Sequence, residues 1–443
     1  MLHRMAFLLL SFSLPTSLSA DDWPEWLGPN RQSVWQEDGI VQRFPTEGLE
    51  VKWRVPVGFG YSGPAVANNR VYITDYVMTS GEVSNNPGGR DELTGQERVL
   101  CFSANTGKVL WKHTYTRPYA LSYPKGPRCV PTVVDGKVYT LGAEGDLFCL
   151  HAESGKVIWS KQLQTEYHTP SPIWGFCAHP LVVGETLYCL VGGEGSVAVA
   201  FNKDTGEERW RALSASTAGY CPPTWLQYDG VEQLLIWHPE SLNRLDPETG
   251  KVIWSVPLKP SYEMSIAIPR VAGDLLFASG IGNVGALFQM QAGHQAPEVV
   301  WRGTPKTAIY SSNSTPFLEN DVMYGSDCQI GSLMAVRLKD GERLWETFEA
   351  TSQTDRRASH GTAYLVKHET RFFIFTETGD LVLANLTPKA YTEISRFHVL
   401  EPTNDCFGRA VVWSHPAFAE RSVFARNDQE LVCVDLAAKR YSR

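Results

Sequence analysis

VYTLGAEGDLFCLHAESGKVIW, residues 138–159, holds one complete structural unit. Two short apolar runs, 138–141 and 147–150, have the length and composition of strands. Between the second run and Trp159 lies Glu153-Ser154-Gly155, a turn in which polar side chains bond nearby backbone and glycine takes a positive φ. Trp159 then falls on the next strand, where a large flat side chain can fill the gap to a neighbouring sheet. The phrase returns as VLCFSANTGKVLW (99–111), LYCLVGGEGSVAVAFNKDTGEERW (187–210) and LLIWHPESLNRLDPETGKVIW (234–254). Weaker copies end at Trp301 and Trp345, and two degenerate ones follow, FFIFTETGDLVLANL (372–386) and SVFARNDQELVCVDL (422–436).

Self-similarity at this period marks a repeat architecture. One four-stranded sheet cannot bury both of its faces, so the units must stack, and radial stacking makes a propeller. Inner-strand segments recur near Pro64, Pro131, Pro180, Pro222, Pro269, Pro316, Gly361 and Pro416, which predicts eight blades. Trp53 comes too early to close a blade of its own, and the last unit, ending near Tyr441, lacks an outer strand. A strand at about 50–56 therefore completes the last blade and closes the ring, removing exposed edges. A linear solenoid would need polar caps and would leave the split repeat unexplained. The expected fold is thus all-β: an eight-bladed β-propeller of four-stranded antiparallel blades, closed by an N-terminal strand.

The rest of the chain bounds the setting. Residues 1–20 read as a signal peptide: His3 and Arg4, an apolar run over 5–14, then small residues up to Ala20. That run is short of the ~20 residues that span a bilayer, and no later segment is long and apolar enough. Residues 21–443 then form a single exported propeller, periplasmic or extracellular. The formal net charge of −8 argues against a nucleic-acid partner, which needs a basic footprint. Nine cysteines, an odd number, leave at least one thiol unpaired; Cys101, Cys149, Cys189 and Cys433 lie in strands and read as core thiols. Two stretches, 75–97 and 115–128, read as long loops able to cap one face of the ring.

The AxxTGxxxW units, as in 104–111 and the copies ending at Trp159, Trp210 and Trp254, resemble the PQQ-like repeat family across nearly all of the mature chain. In that family, quinoprotein alcohol dehydrogenases hold pyrroloquinoline quinone and calcium in such a ring, whereas BamB-like members use it as a binding scaffold without cofactor. The opening DWPEWLGPNR (22–31) looks most like a third branch, the exported PQQ-like proteins of planctomycetes. The chain lacks the adjacent cysteine pair of the dehydrogenases and the lipid-attachment cysteine of BamB. The resemblance therefore implies a non-catalytic envelope scaffold for a protein or small polar ligand, with no cofactor expected. A quinone-dependent oxidoreductase with pyrroloquinoline quinone and calcium in the central funnel is the alternative.

Candidate ligand contacts follow from reading the inner segments in register. His179, His360 and His415 precede Pro180, Gly361 and Pro416, and Arg128, Asn313 and Trp413 stand two residues before the histidine position of their own segments. Alternation along a strand aims these two sets the same way, toward the axis. Trp174, Phe176, Tyr220 and Glu263 lie just upstream, near one rim. The histidines admit three readings: hydrogen-bonded groups tying blades together, part of a polar ligand pocket with Arg128 as anion contact and Trp413 or Trp174 as stacking surface, or a zinc triad. Ser359-His360 and Ser414-His415 are sequence neighbours facing opposite ways, so neither makes a nucleophile–base pair.

Overall fold

Six tryptophans show how the repeat builds the molecule. In the computed structural model, which describes residues 21–438 apart from Asp355, each indole N–H donates to a backbone carbonyl in the turn of the next sheet. The pairs are Trp53 to Ala104 (2.7 Å), Trp111 to Ala152 (2.9 Å), and Trp159 to Lys203, Trp210 to Pro247, Trp301 to Leu338 and Trp345 to Thr387 (each 2.8 Å). The glycine of the turn is what allows this approach. At Gly155 φ is +69°, and a Cβ there would lie 2.4 Å from the Trp111 ring. The AxxTGxxxW motif is therefore a two-sided joint: its turn receives the preceding sheet's tryptophan, and its own tryptophan reaches forward.

The sheets so joined are four-stranded and antiparallel at heart, and eight of them stand among the described residues. Their innermost strands begin at Ala65, Thr132, Leu181, Thr224, Arg270, Phe317, Ala363 and Ala417, one or two residues after the eight Pro and Gly markers. The strand Val51–Pro56 pairs antiparallel with Glu430–Asp435, in the sheet made by the last three strands of the chain. Its Trp53 then docks on the turn of the first sheet, linking the end of the series to its beginning. Between the seventh and eighth sheets, Phe373, Phe418 and Trp35 replace the tryptophan joint with an aromatic cluster. The chain is an all-β propeller.

Two departures from the expected layout matter for the site. The stretch 75–97 is not a loop. Strands Arg70–Gly81 and Asp91–Ser103 run on past the blade as a long ribbon, leaving only 82–90 irregular. One face of this ribbon is buried at Leu93, Gly95 and Glu97 against Tyr76, Tyr119 and Leu121, with Tyr76 and Tyr119 stacked at 4.0 Å. Of 115–128, the first residues finish the strand Val109–Thr116, and Tyr119–Leu121 pairs with the ribbon; only 117–118 and 122–128 are irregular. The nine cysteines are free thiols. No helix of the described residues is long and apolar enough to cross a membrane, and the signal-peptide reading falls on 1–20, outside the described residues.

Candidate functional site

Seven of the eight residues singled out from the sequence line one cavity at the ring axis: Arg128, Trp174, His179, Asn313, His360, Trp413 and His415. It holds about 1080 Å³ of empty space, including its open mouth. Glu263 stands apart. It ends the short 3₁₀ turn Ser261–Glu263, where positive φ at Tyr262 and Glu263 swings the carboxylate away, and it accepts hydrogen bonds from Ser216 (2.8 Å) and Thr217 (3.2 Å).

The floor of the cavity comes from the segment 22–35, for which the sequence suggested no role beyond family likeness. Trp23 bridges to Val66 of the first sheet, and Pro24 accepts the Val133 N–H of the second. Arg31, 5% exposed and ion-paired to Glu25 at 2.7 Å, reaches the carbonyls of His179, Pro180 and Pro223 in the third and fourth. Arg270 of the fifth donates to the Arg31 carbonyl (2.9 Å), and Val34–Trp35 adds a parallel strand to the seventh. Gly28 permits the tight fold of this segment, since φ is +72° and a Cβ would lie 2.8 Å from the Trp23 ring. The segment crosses the ring and plugs one end of its channel.

Trp26, on the plug, fixes two histidines. Its ring stacks on His179 (centroids 4.5 Å apart), and its N–H donates to His415 Nε2 (3.1 Å). Meanwhile the Val130 N–H donates to His179 Nδ1 at 2.9 Å. An imidazole nitrogen that accepts a hydrogen bond carries no proton, so neutral His179 bears its hydrogen on Nε2 and neutral His415 on Nδ1. Burial keeps both neutral: His179 is held well below the ordinary imidazole range, with the positive charge of Arg31 adding to the effect, and His415 is pushed down to about 3. His360, stacked on Phe407 at 4.9 Å, is lowered to about 4, mainly by burial and further by Arg409. Its Nδ1 meets the Ser312 hydroxyl at 3.2 Å, but such an imidazole is a weak base and no carboxylate orients it. Ser414, as expected, turns away and donates to the Arg426 carbonyl.

Neither a zinc triad nor an acid–base pair takes shape. Among the described residues no three His, Cys, Asp or Glu side chains gather at metal-binding range. Cys177, on the wall, contacts the Trp174 carbonyl at 3.3 Å, and burial pushes its thiol up to about 11. Arg128 spans the carbonyls of Ser122 (3.1 Å), Tyr123 (2.6 Å) and Gly126, and its guanidinium lies 5.0 Å from the Tyr61 ring centroid. Trp413 donates to Glu377 (3.3 Å), which Arg409 clamps from behind at 2.8 and 3.1 Å.

Sequence reading missed Trp26, Tyr61, Tyr123 and Phe407, which complete the aromatic wall with Tyr220; Phe176, expected at the rim, packs in the core instead. Tyr123 belongs to the Pro- and Tyr-rich 115–128 segment, a usable signal; Phe407 had none, as it tips the small hairpin made by Asn404–Cys406 and Arg409–Val411. The mouth is bridged by the ribbon tip, where Asn85 donates to Asn404 (3.2 Å) and to the Asp405 carbonyl (2.7 Å), and Pro87 lines the cavity.

Comparison with known proteins places this geometry. A family model described as outer membrane protein assembly factor BamB matches residues 95–347, more than half of the chain. The chain belongs to the BamB family. Among solved structures, BamB from Moraxella catarrhalis superposes with a TM-score of 0.56 at 16% identity, covering 87% of this chain and 97% of that one. The computationally designed protein Ika8 gives 0.52 at 10% identity over 87% of this chain and 100% of its own. The quinohemoprotein alcohol dehydrogenase of Comamonas testosteroni gives 0.44 at 13% identity, over 94% and 80%. At such identities the BamB and Ika8 likenesses show the fold. No curated protein sequence matches the chain.

Proposed function

We propose that this BamB-family chain is an exported, non-catalytic scaffold of the cell envelope, and that its work is to bind a partner, protein or small molecule, at the plugged funnel. The observation that carries this is the state of the polar groups there. His179, His360, His415 and Cys177 on the wall are each held in one form near neutral pH by burial, and none is paired for proton transfer or nucleophilic attack among the described residues. A concave, largely aromatic site with a few fixed polar groups is the usual form of a binding site. The name of the matched family, an outer membrane assembly factor, supports an envelope setting.

The cofactor of the dehydrogenase branch fits this wall poorly. Pyrroloquinoline quinone brings three carboxylates, and calcium calls for six to eight oxygen ligands, mostly carboxylates and carbonyls. The lining holds one cation, Arg128, and no Asp or Glu. Titration of the chain from Asp21 onward with the quinone and calcium, followed by tryptophan fluorescence and quinone absorbance, tests the reading. No binding is expected at tens of micromolar; tight stoichiometric uptake would refute it.

A further inference from the structure

The lining of the funnel is unbalanced in a way that selects a ligand. Its rings include Trp174, Tyr220, Tyr123 and Trp413, with Trp174 and Tyr220 5.6 Å apart at their centroids and Tyr123 and Trp413 6.2 Å apart. Its polar groups lean toward donors. The tautomers fixed by Val130 and Trp26 leave His179 Nε2–H and His415 Nδ1–H with no protein acceptor among the described residues. The Tyr123 hydroxyl is buried with no partner among the described residues, although a buried hydroxyl without one costs free energy. Arg128 forms no ion pair among the described residues: its hydrogen bonds run to backbone carbonyls, and the neighbouring Cys177 thiol is kept protonated by burial, so neither cancels its charge. No carboxylate of the described residues faces the cavity.

Donors with one uncompensated cation and no acid call for an acceptor-rich ligand bearing a single negative charge. A cation would meet Arg128 with nothing to offset it, and a multiply charged anion would carry charge into the funnel without a counter-charge. The rings call for a planar face. We infer that the funnel takes a planar, ring-bearing monoanion of the aromatic carboxylate class, its charge at Arg128 and its ring among Trp174, Tyr220 and Trp413. This rests on the reading of the funnel as a binding site.

Calorimetric titration of the whole mature chain with naphthoate, naphthamide and maltose tests it, because the acid and the amide share a ring and differ in charge. Naphthoate should bind about tenfold or more tighter than naphthamide, the worth of a hydrogen bond to a charged group over a neutral one. Arg128→Gln should abolish that preference, while Arg128→Lys, which keeps the charge, should retain most of it; thermal unfolding of both variants checks that the 122–126 carbonyls are still held. Equal affinity for acid and amide, lost for both in Trp413→Ala, would overturn the anion assignment and leave the binding funnel standing. Tighter binding of maltose than of either ring compound, or no binding of either, would overturn the ligand class. Stoichiometric uptake of pyrroloquinoline quinone with calcium would instead overturn the scaffold reading beneath it.

Discussion

Replacing Glu97 by glutamine should stabilise the protein above neutral pH and flatten the way its stability changes between mildly acidic and neutral conditions. Glu97 sits on the ribbon strand Asp91–Ser103, 1% exposed, where it accepts hydrogen bonds from the hydroxyls of Tyr115 and Tyr119 and from the Ala143 N–H at 2.9 Å. Burial is the largest influence and raises its carboxyl from 4.5 to about 7, the three hydrogen bonds opposing and nearby Asp146 adding to the rise. A raised pKa means that the folded state holds the proton more tightly than the unfolded chain. The stability this contributes is complete below about 4.5 and is lost as pH climbs through about 7, after which nothing further changes. At ~1.4 kcal/mol per unit, the whole step is about 3 kcal/mol.

For a chain of this length the unfolding entropy is near ~0.9 kcal/mol per degree, so the step should appear as a fall in Tm of about 3–4 °C between pH 4.5 and pH 8. Glutamine keeps the acceptor for Ala143 and Tyr119 and can donate to the Tyr115 oxygen, but its second amide hydrogen has no evident partner, at a cost of roughly 1 kcal/mol. The variant should therefore melt slightly below the parent at acid pH and about 2 °C above it at pH 8. Calorimetric scans of both proteins across that range provide the check. Parallel pH profiles, or a variant less stable than the parent at pH 8, would refute the account of Glu97 as a buried carboxyl ionised at a cost.

Other substitutions probe the plug and the ring. Trp26→Ala removes a buried ring at a cost of about 3–5 kcal/mol and takes away the donor to His415 Nε2; a lower Tm should come with a rise of the His415 pKa from about 3, readable by NMR titration. Gly28→Ala places a methyl 2.8 Å from the Trp23 ring at a φ of +72°, and should lower Tm with no change in secondary structure by circular dichroism. Truncation through residue 56 strips the partner from Glu430–Asp435 and exposes that strand as an edge; the product should elute as soluble aggregate on size exclusion. The folded-state pKa of His360 is depressed to about 4, so the stability it confers is present above 6.5 and lost as pH falls toward 4. His360→Gln should make the acid side of the stability profile shallower in denaturant titrations.

Much of this was legible because the decisive contact is written once per repeat. A tryptophan, a turn glycine and the carbonyl beside it lie within one phrase, so its recurrence exposed the sheets, and the proline or glycine before each inner strand carried the register that aims His179, His415 and Arg128 at the axis. The plug was not legible, since its bonds join residues far apart in the chain: Trp26 meets His415 across 389 positions and Arg31 meets Pro180 across 149, with no second copy to reveal a pattern. The ribbon was hidden for another reason. Its buried face reads Leu93, Gly95 and Glu97, so alternation of burial is not alternation of hydrophobicity, and the polar residues looked like a loop. Glu263 lies off the cavity because two successive positive φ angles reverse the chain just upstream of the inner segment, a turn that its sequence did not signal.

These failures share a physical origin. A ring of near-identical sheets makes a nearly symmetric tube, and a symmetric tube offers a ligand no preferred orientation. Here the asymmetry comes from parts outside the repeat: the plug at 22–35, the ribbon tip at 82–90, the return at 122–128 and the hairpin around Phe407. Between them they supply Trp26, Pro87, Tyr123, Arg128 and Phe407, and they close one end of the channel while bridging the other. The repeat contributes the inward-facing histidines, but it is Trp26 and the Val130 amide that decide which nitrogen of each carries the proton. What the funnel can bind is therefore set mainly by the non-repeating segments, and relatives that keep the AxxTGxxxW joint while changing these four segments should share the fold and differ in ligand.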